Sequence, residues 1–161
     1  MGIPDPYEVL LLLGGNMGEP VATLGAAEKA IGARCGNVIA RSRDHWTEPW
    51  GFSDERLFLN RALLLNTPLE PSTLMAELLS IERDLGRVRD HAVRFSARII
   101  DIDILLIGSK IIATDMLTVP HPRLHERAFA LGPAADLVPH WMHPVLGRTV
   151  LQLLHDLRPQ H

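Results

Sequence analysis

The chain has 161 residues, of which 47% are hydrophobic and 22% charged, and its formal net charge is −3. That length and apolar content suit one domain, 1–161, with a real core, and they exclude disorder and low complexity. The longest apolar runs, 9–13 and 104–107, fall far short of the ~20 residues of a membrane span. The N-terminus carries acids and no basic region, so no signal peptide is visible, and the lone Cys35 fits a reducing cytoplasm. A net negative charge argues against nucleic acid or membrane surfaces as partners. Of the sixteen basic residues only Lys29 and Lys110 are lysine, and the rest are arginine.

In chain order, 7–13 is apolar and β-prone and stops at Gly14-Gly15-Asn16, a turn signal. Val21, Leu24, Ala27 and Ile31 recur at helical spacing over 20–31, with Gly32 able to end the helix. Weak alternation predicts a strand over 37–46. Pro49, Gly51 and polar neighbours make 47–56 a loop, and 57–66 reads as a buried strand. Pro71 opens a helix that Leu74, Leu78, Leu79 and Ile81 carry to residue 85. The stretch 86–97 is polar, and 99–107 is the strongest strand. A Pro-bracketed turn follows at 119–122, then helices over 126–135 and 150–157. The order β-α-β, β-α-β followed by extras predicts an α+β fold, a ferredoxin-like α/β sandwich with a mainly antiparallel sheet. A flavodoxin-type parallel sheet is the lesser alternative.

Chemistry concentrates after residue 82. Along the last strong strand Asp101 and Asp103 fall on one face, with Ile100, Ile102 and Ile104 on the other. Their Cα atoms should lie ~7 Å apart, a spacing at which two carboxylates can converge on hard cations such as Mg²⁺. Arg83, Arg87, Arg89, Arg94 and Arg98 precede them. Guanidinium groups grip phosphate bidentately and stay charged. Arg83, on a helix, is read as a solvated charge, but Arg87, Arg89 and Arg98 beside an acidic pair resemble the two halves of a phosphoryl-transfer site. There is no Gly-x4-Gly-Lys-Ser/Thr, so P-loop and Rossmann readings are poor. His121 is held between Pro120 and Pro122, where its ring can donate to a phosphate. Most single aromatics, Trp46 and Trp141 among them, are core anchors. Phe58 and Phe129, flanking Asn60 and Arg127, instead suit a slot for a flat ring with a polar edge. His140, His143, His155 and His161 read as surface histidines.

The run Arg94-Phe95-Ser96-Ala97-Arg98-x-x-Asp101-Ile102-Asp103-Ile104-Leu105 resembles that of the hydroxymethyl-dihydropterin pyrophosphokinases. So do Leu13-Gly14-Gly15-Asn16-Met17-Gly18, Thr47-Glu48-Pro49-Trp50-Gly51, Phe58-Leu59-Asn60, Glu82 with Gly86-Arg87-Val88-Arg89, and Val119-Pro120-His121-Pro122 with Arg127-Ala128-Phe129. These blocks stand in family order from about 10 to 136. The resemblance implies transfer of pyrophosphate from ATP, as co-substrate, to a hydroxymethyl pterin, with two Mg²⁺ ions on Asp101 and Asp103. It implies Arg87 and Arg98 as catalytic arginines acting with those aspartates. Glu82, Arg89, Phe95, Arg98, Ile104, Leu117, Thr118, His121 and Arg127 would lie around ATP. Thr47, Trp50, Phe58, Asn60, Asp101 and Phe129 would lie around the pterin. Phe58 stands where tyrosine is common, Asp90 where a basic residue often stands, and Met116 where one branch has arginine. Phe95-Ser96-Ala97 replaces a more usual Trp/Tyr-Gly-Pro/Ala. In-line attack on the β-phosphorus would release AMP, with no obvious base, and loops 47–56 and 86–97 would close over ATP. A cytoplasmic monomer is expected. Two rival readings are a paralogue that binds pterin or nucleotide without transfer, and a ferredoxin-like RNA-binding module, which the acidic strand disfavours.

Overall fold

The computed structural model describes residues 6–48, 57–86 and 99–157. Its first seven elements are β1 (Tyr7–Gly15), α1 (Pro20–Arg34), β2 (Asn37–Arg41), β3 (His45–Thr47), β4 (Phe58–Thr67), α2 (Pro71–Leu85) and β5 (Asp101–Ile107). The sheet runs β2-β4-β1-β5, with β3 also on β4, and each of these pairings is antiparallel. That order is the ferredoxin-like α+β arrangement, and it removes the parallel alternative.

The uninterrupted apolar run of β1 has a cause in the layers around it. Val9, Leu11 and Leu13 point to one core with Leu24, Ile31, Leu74, Leu78 and Ile81 of α1 and α2. Leu10 and Leu12 point to a second core with residues of α3 (Ala128–Leu137) and α4 (Val150–Asp156). A central strand covered on both faces has no polar side to display. The helices read as extras therefore make a third layer.

Several boundaries differ from the expected ones. Gly14 and Gly15 do not form a turn but continue β1, Gly14 pairing with both Asn60 and Asp101. A Cβ on Gly15 would stand 2.5 Å from the Ile99 carbonyl oxygen, so a side chain there would force the backbone apart. Helix α1 passes through Gly32 to Arg34, and the last strong strand begins at Asp101 rather than Ile99. The strand expected over 37–46 is broken in two at Ser42. There the Ser42 hydroxyl accepts the Ala62 N–H at 2.8 Å, doing what a ladder carbonyl would do. Asp44 then accepts two hydrogen bonds from Arg61, whose side chain is only 8% exposed. A short hairpin, β6 (Ile112–Ala113) with β7 (Thr118–Val119), was not apparent in the sequence. It ends in a cis Val119–Pro120 bond. The helix expected over 126–135 is a 3-10 turn, Leu124–Glu126, followed by α3.

Two side-chain readings also change. Trp46 is no core anchor, being 47% exposed on the edge strand β3. His143 is not on the surface: it is 5% exposed and its Nδ1 accepts the N–H groups of Val145 and Leu146. Burial, aided by the neighbouring His125, pushes its pKa down. No helix of the described residues is long and apolar enough to cross a membrane.

Candidate active site

Three strands end at one place. The C-terminal end of β1, the N-terminal end of β4 and the N-terminal end of β5 bring Gly14, Phe58, Asn60, Asp101 and Asp103 together. With Thr47 from β3 and Arg127 and Phe129 from the start of α3, they line a cavity of about 680 Å³. Seven residues expected at a site thus share one cavity: Thr47, Phe58, Asn60, Asp101, Asp103, Arg127 and Phe129. Leu12, Gly14, Glu48, Arg123 and Glu126 also line it and were not singled out as site residues.

The aspartates keep their predicted alternation. Asp101 and Asp103 are half-buried, while Ile102 and Ile104 between and beyond them are at most 4% exposed in the α1–α2 core. Glu82 of α2 accepts the Ile102 N–H at 2.7 Å, bracing the strand between the two carboxylates. Ile104 and Leu117 have core side chains and do not line the cavity, and Thr118 is exposed on β7. His121 follows that hairpin, tied to β5 by its N–H to the Leu105 carbonyl at 3.0 Å. Its Nδ1 accepts the Arg123 N–H at 3.2 Å, which leaves the ring proton to Nε2 as a donor. Burial lowers the His121 pKa. Asp103 opposes that shift, whereas Arg127 and Arg123 add to it. The ring is therefore a neutral donor beside the acidic strand.

At the other wall, Asn60 is 2% exposed and its Nδ2 has no hydrogen-bond partner among the described residues. A buried unsatisfied amide costs about 1–3 kcal/mol, a cost that a hydrogen bond to the polar edge of a ligand would remove. Phe58 and Phe129 line the same cavity, and the Arg127 guanidinium lies 5.5 Å from the Phe129 ring centroid. Gly14 makes room for this wall: a Cβ there would be 2.8 Å from Phe58 Cε1 and 2.9 Å from Asn60 Oδ1. The Gly-Gly pair inside an apolar run was the available signal for such a close approach. Trp50, Arg87, Arg89, Phe95 and Arg98 lie outside the described residues, as do most of the two loops expected to close.

Chemically, the cavity offers two carboxylates, a neutral imidazole and a guanidinium nearby, and two aromatic side chains with a buried amide. Among the described residues no three His, Cys, Asp or Glu side chains group as an all-protein metal cage. A carboxylate pair without a third protein ligand suits Mg²⁺, which is usually held by one or two carboxylates plus water and substrate phosphates.

A family model described as 7,8-dihydro-6-hydroxymethylpterin-pyrophosphokinase matches residues 10–139. A Methylorubrum extorquens protein named 2-amino-4-hydroxy-6-hydroxymethyldihydropteridine pyrophosphokinase is 40% identical over 148 residues, 91% of this chain and 91% of its own. A Porphyromonas gingivalis protein of the same name is 37% identical over 139 residues, 84% of this chain and 93% of its own. Among solved structures, wild-type Plasmodium falciparum HPPK-DHPS superposes with a TM-score of 0.75 at 16% identity, over 94% of this chain and 44% of that one. This chain thus spans under half of that larger protein, and the likeness there is one of fold.

Proposed function

The chain belongs to the 7,8-dihydro-6-hydroxymethylpterin-pyrophosphokinase family, and on that premise we propose that its two substrates meet in the cavity at the ends of β1, β4 and β5. The chain is an ATP-dependent diphosphotransferase of folate biosynthesis, moving the pyrophosphoryl group of ATP to the hydroxymethyl group of hydroxymethyldihydropterin. In the reaction proposed, the hydroxymethyl oxygen bonds to the β-phosphorus, the bond from that phosphorus to the α–β bridging oxygen breaks, and AMP leaves. The hydroxyl proton passes to solvent.

The observation that carries the assignment of the pterin is Asn60, a buried amide whose Nδ2 has no partner among the described residues and which lines the cavity with two aromatic residues. Asn60 would read the hydrogen-bonding edge of the ring while Phe58 and Phe129 hold its faces. That orientation sends the hydroxymethyl arm toward Asp101 and Asp103. The pair would hold two Mg²⁺ ions, which supply charge neutralisation and alignment of the phosphate oxygens. His121 would donate from Nε2, and Arg127 would offer its guanidinium, to the phosphates of ATP. By family resemblance Glu82, Arg89, Phe95, Ile104, Leu117 and Thr118 are assigned to ATP, Thr47 and Trp50 to the pterin, and Arg87 and Arg98 to the transfer itself. Among the described residues lining the cavity no paired general base stands, and positioning and preorganised charge would lower the barrier. The whole chain is proposed to act as one domain and as a monomer.

Incubation with ATP, Mg²⁺ and 6-hydroxymethyl-7,8-dihydropterin is expected to yield AMP and pterin diphosphate one for one, with EDTA stopping both. Binding of pterin and nucleotide without AMP would instead mark a non-transferring paralogue.

Gly14→Ala tests the wall separately. The atoms nearest the added methyl are side-chain atoms of Phe58 and Asn60, so the strain is relieved by displacing the two groups proposed to hold the pterin. The pterin KM is expected to rise about tenfold, and the overpacking, typically about 1–3 kcal/mol, is expected to lower the melting temperature by several degrees. An unchanged pterin KM would show that this wall does not contact the substrate.

A further inference from the structure

Outside the cavity, Arg43 and His45 form one contact with Asp136, more than ninety residues away in the chain. Asp136, in the last turn of α3, lies 2.8 Å through Oδ2 from His45 Nε2 on β3. Arg43 donates to the same carboxylate from its N–H at 3.2 Å, from Nε at 3.3 Å and from Nη2 at 3.1 Å. Burial raises the pKa of Asp136, but the hydrogen bonds from Arg43 and His45 outweigh it and hold the carboxyl below its ordinary value. His45 and Asp136 are 25% and 16% exposed, whereas Arg43 is 81% exposed.

Two geometrical facts connect this contact to the pterin slot. His45 is the direct cross-strand partner of Asn60, and side chains of directly paired residues leave the sheet on the same face. His45 thus stands beside Asn60 on the side covered by α3. On α3, Phe129, Gly132 and Asp136 are spaced i, i+3, i+7 and so form one stripe along the helix. Gly132 lets that stripe close on β3: a Cβ there would lie 3.3 Å from His45 Nδ1. The far end of the stripe is fixed to His45 by Asp136, and its near end carries Phe129 into the cavity.

We infer that His45 and Asp136 are positioning residues for the pterin, a clamp between β3 and α3 that sets the rotation of α3, and with it the pitch of Phe129 against Asn60 and Phe58. The inference rests on the assignment of Asn60, Phe58 and Phe129 to the pterin. His45 touches the Asn60 backbone ladder and α3 but neither substrate, so its loss alters one binding step and not the other.

The test is direct titration of the full chain with 6-hydroxymethylpterin by its fluorescence, and in parallel with a non-hydrolysable ATP analogue. In His45→Ala the pterin Kd is expected to rise about tenfold while the nucleotide Kd stays within about twofold, a split that general destabilisation would not produce. His45→Gln, whose amide can donate to Asp136, is expected to recover most of the loss. Gly132→Ala covers the case in which His45→Ala folds poorly. Alanine is a better helix former than glycine, yet its methyl, 3.3 Å from His45 Nδ1, requires the ring or the helix to give by a few tenths of an ångström, so pterin should weaken several-fold. Arg43→Ala, altering only the exposed partner, should leave both constants as they are. Unchanged pterin affinity in His45→Ala and Gly132→Ala overturns the clamp, as does an equal loss for both ligands. A wild-type chain that binds no pterin overturns the clamp together with the assignment of the slot.

Discussion

Asp103→Ala is expected to lower kcat by about 10³-fold, with the melting temperature nearly unchanged and the Mg²⁺ requirement shifted to higher concentration; losing one preorganised charge contact alone costs 10²–10³. The expectation follows from where the strand puts its side chains. Ile102 and Ile104 carry the packing of β5, at 4% and 3% exposure, and Asp103 faces the cavity from the opposite side. Truncating it removes no core contact. It removes one of two carboxylates assigned to the cation, and it also takes away the charge that opposes the lowering of the His121 pKa. Steady-state kinetics over a range of Mg²⁺ concentration reads the first effect, and the pH dependence of kcat reads the second. Near-normal turnover at limiting Mg²⁺ would mean that the metal sits elsewhere.

Asn60→Leu should do two things that rarely go together. The side chains are similar in size, and the substitution removes a buried donor that has no partner among the described residues. Unfolding free energy is therefore expected to rise by about 1 kcal/mol, the low end of the cost of an unsatisfied buried group. Pterin affinity is expected to fall by about 100-fold, because the polar edge of the ring would then be buried against an isobutyl group. Chemical denaturation reads the first effect and the pterin KM the second. A variant less stable than wild type, with an unaltered pterin KM, would make Asn60 an ordinary structural amide.

What the sequence made legible, and what it did not, divides along physical lines. The alternation of Asp101-Ile102-Asp103-Ile104 and the spacing of Leu74, Leu78 and Ile81 are local periodicities, and a single burial surface enforces each. They survive in the fold as read. The third layer was not legible because α3 and α4 owe their place to the second face of β1, a fact of topology rather than of spacing. The break at Ser42 depends on a hydroxyl substituting for a carbonyl twenty residues away in the ladder, and no propensity registers that. Gly14 and Gly15 look like a turn because turns are where paired glycines usually serve. Here they serve a close approach, of side chains at one and of the Ile99 carbonyl at the other. Arg34 crosses to Glu77, Ser80 and Asp84 of α2, and Arg148 pairs with Asp156. Such side-chain pairs, like His45 with Asp136, join positions that only the completed fold brings together. Within the site, chemistry was easier to read than geometry. Residue types singled out the two carboxylates and the two aromatics that line one cavity, whereas the close approach at Gly14 that shapes its wall had to be seen.

The central claim is that the pterin slot and the carboxylate pair belong to one cavity, with the hydroxymethyl arm aimed at the metal. Its most direct test is paramagnetic relaxation of pterin protons by Mn²⁺, in the presence of the full chain and a non-hydrolysable ATP analogue. The account predicts strong enhancement that is greatest for the hydroxymethyl protons and is lost in Asp101→Ala. Enhancement that is absent, or equally strong in Asp101→Ala, would contradict it.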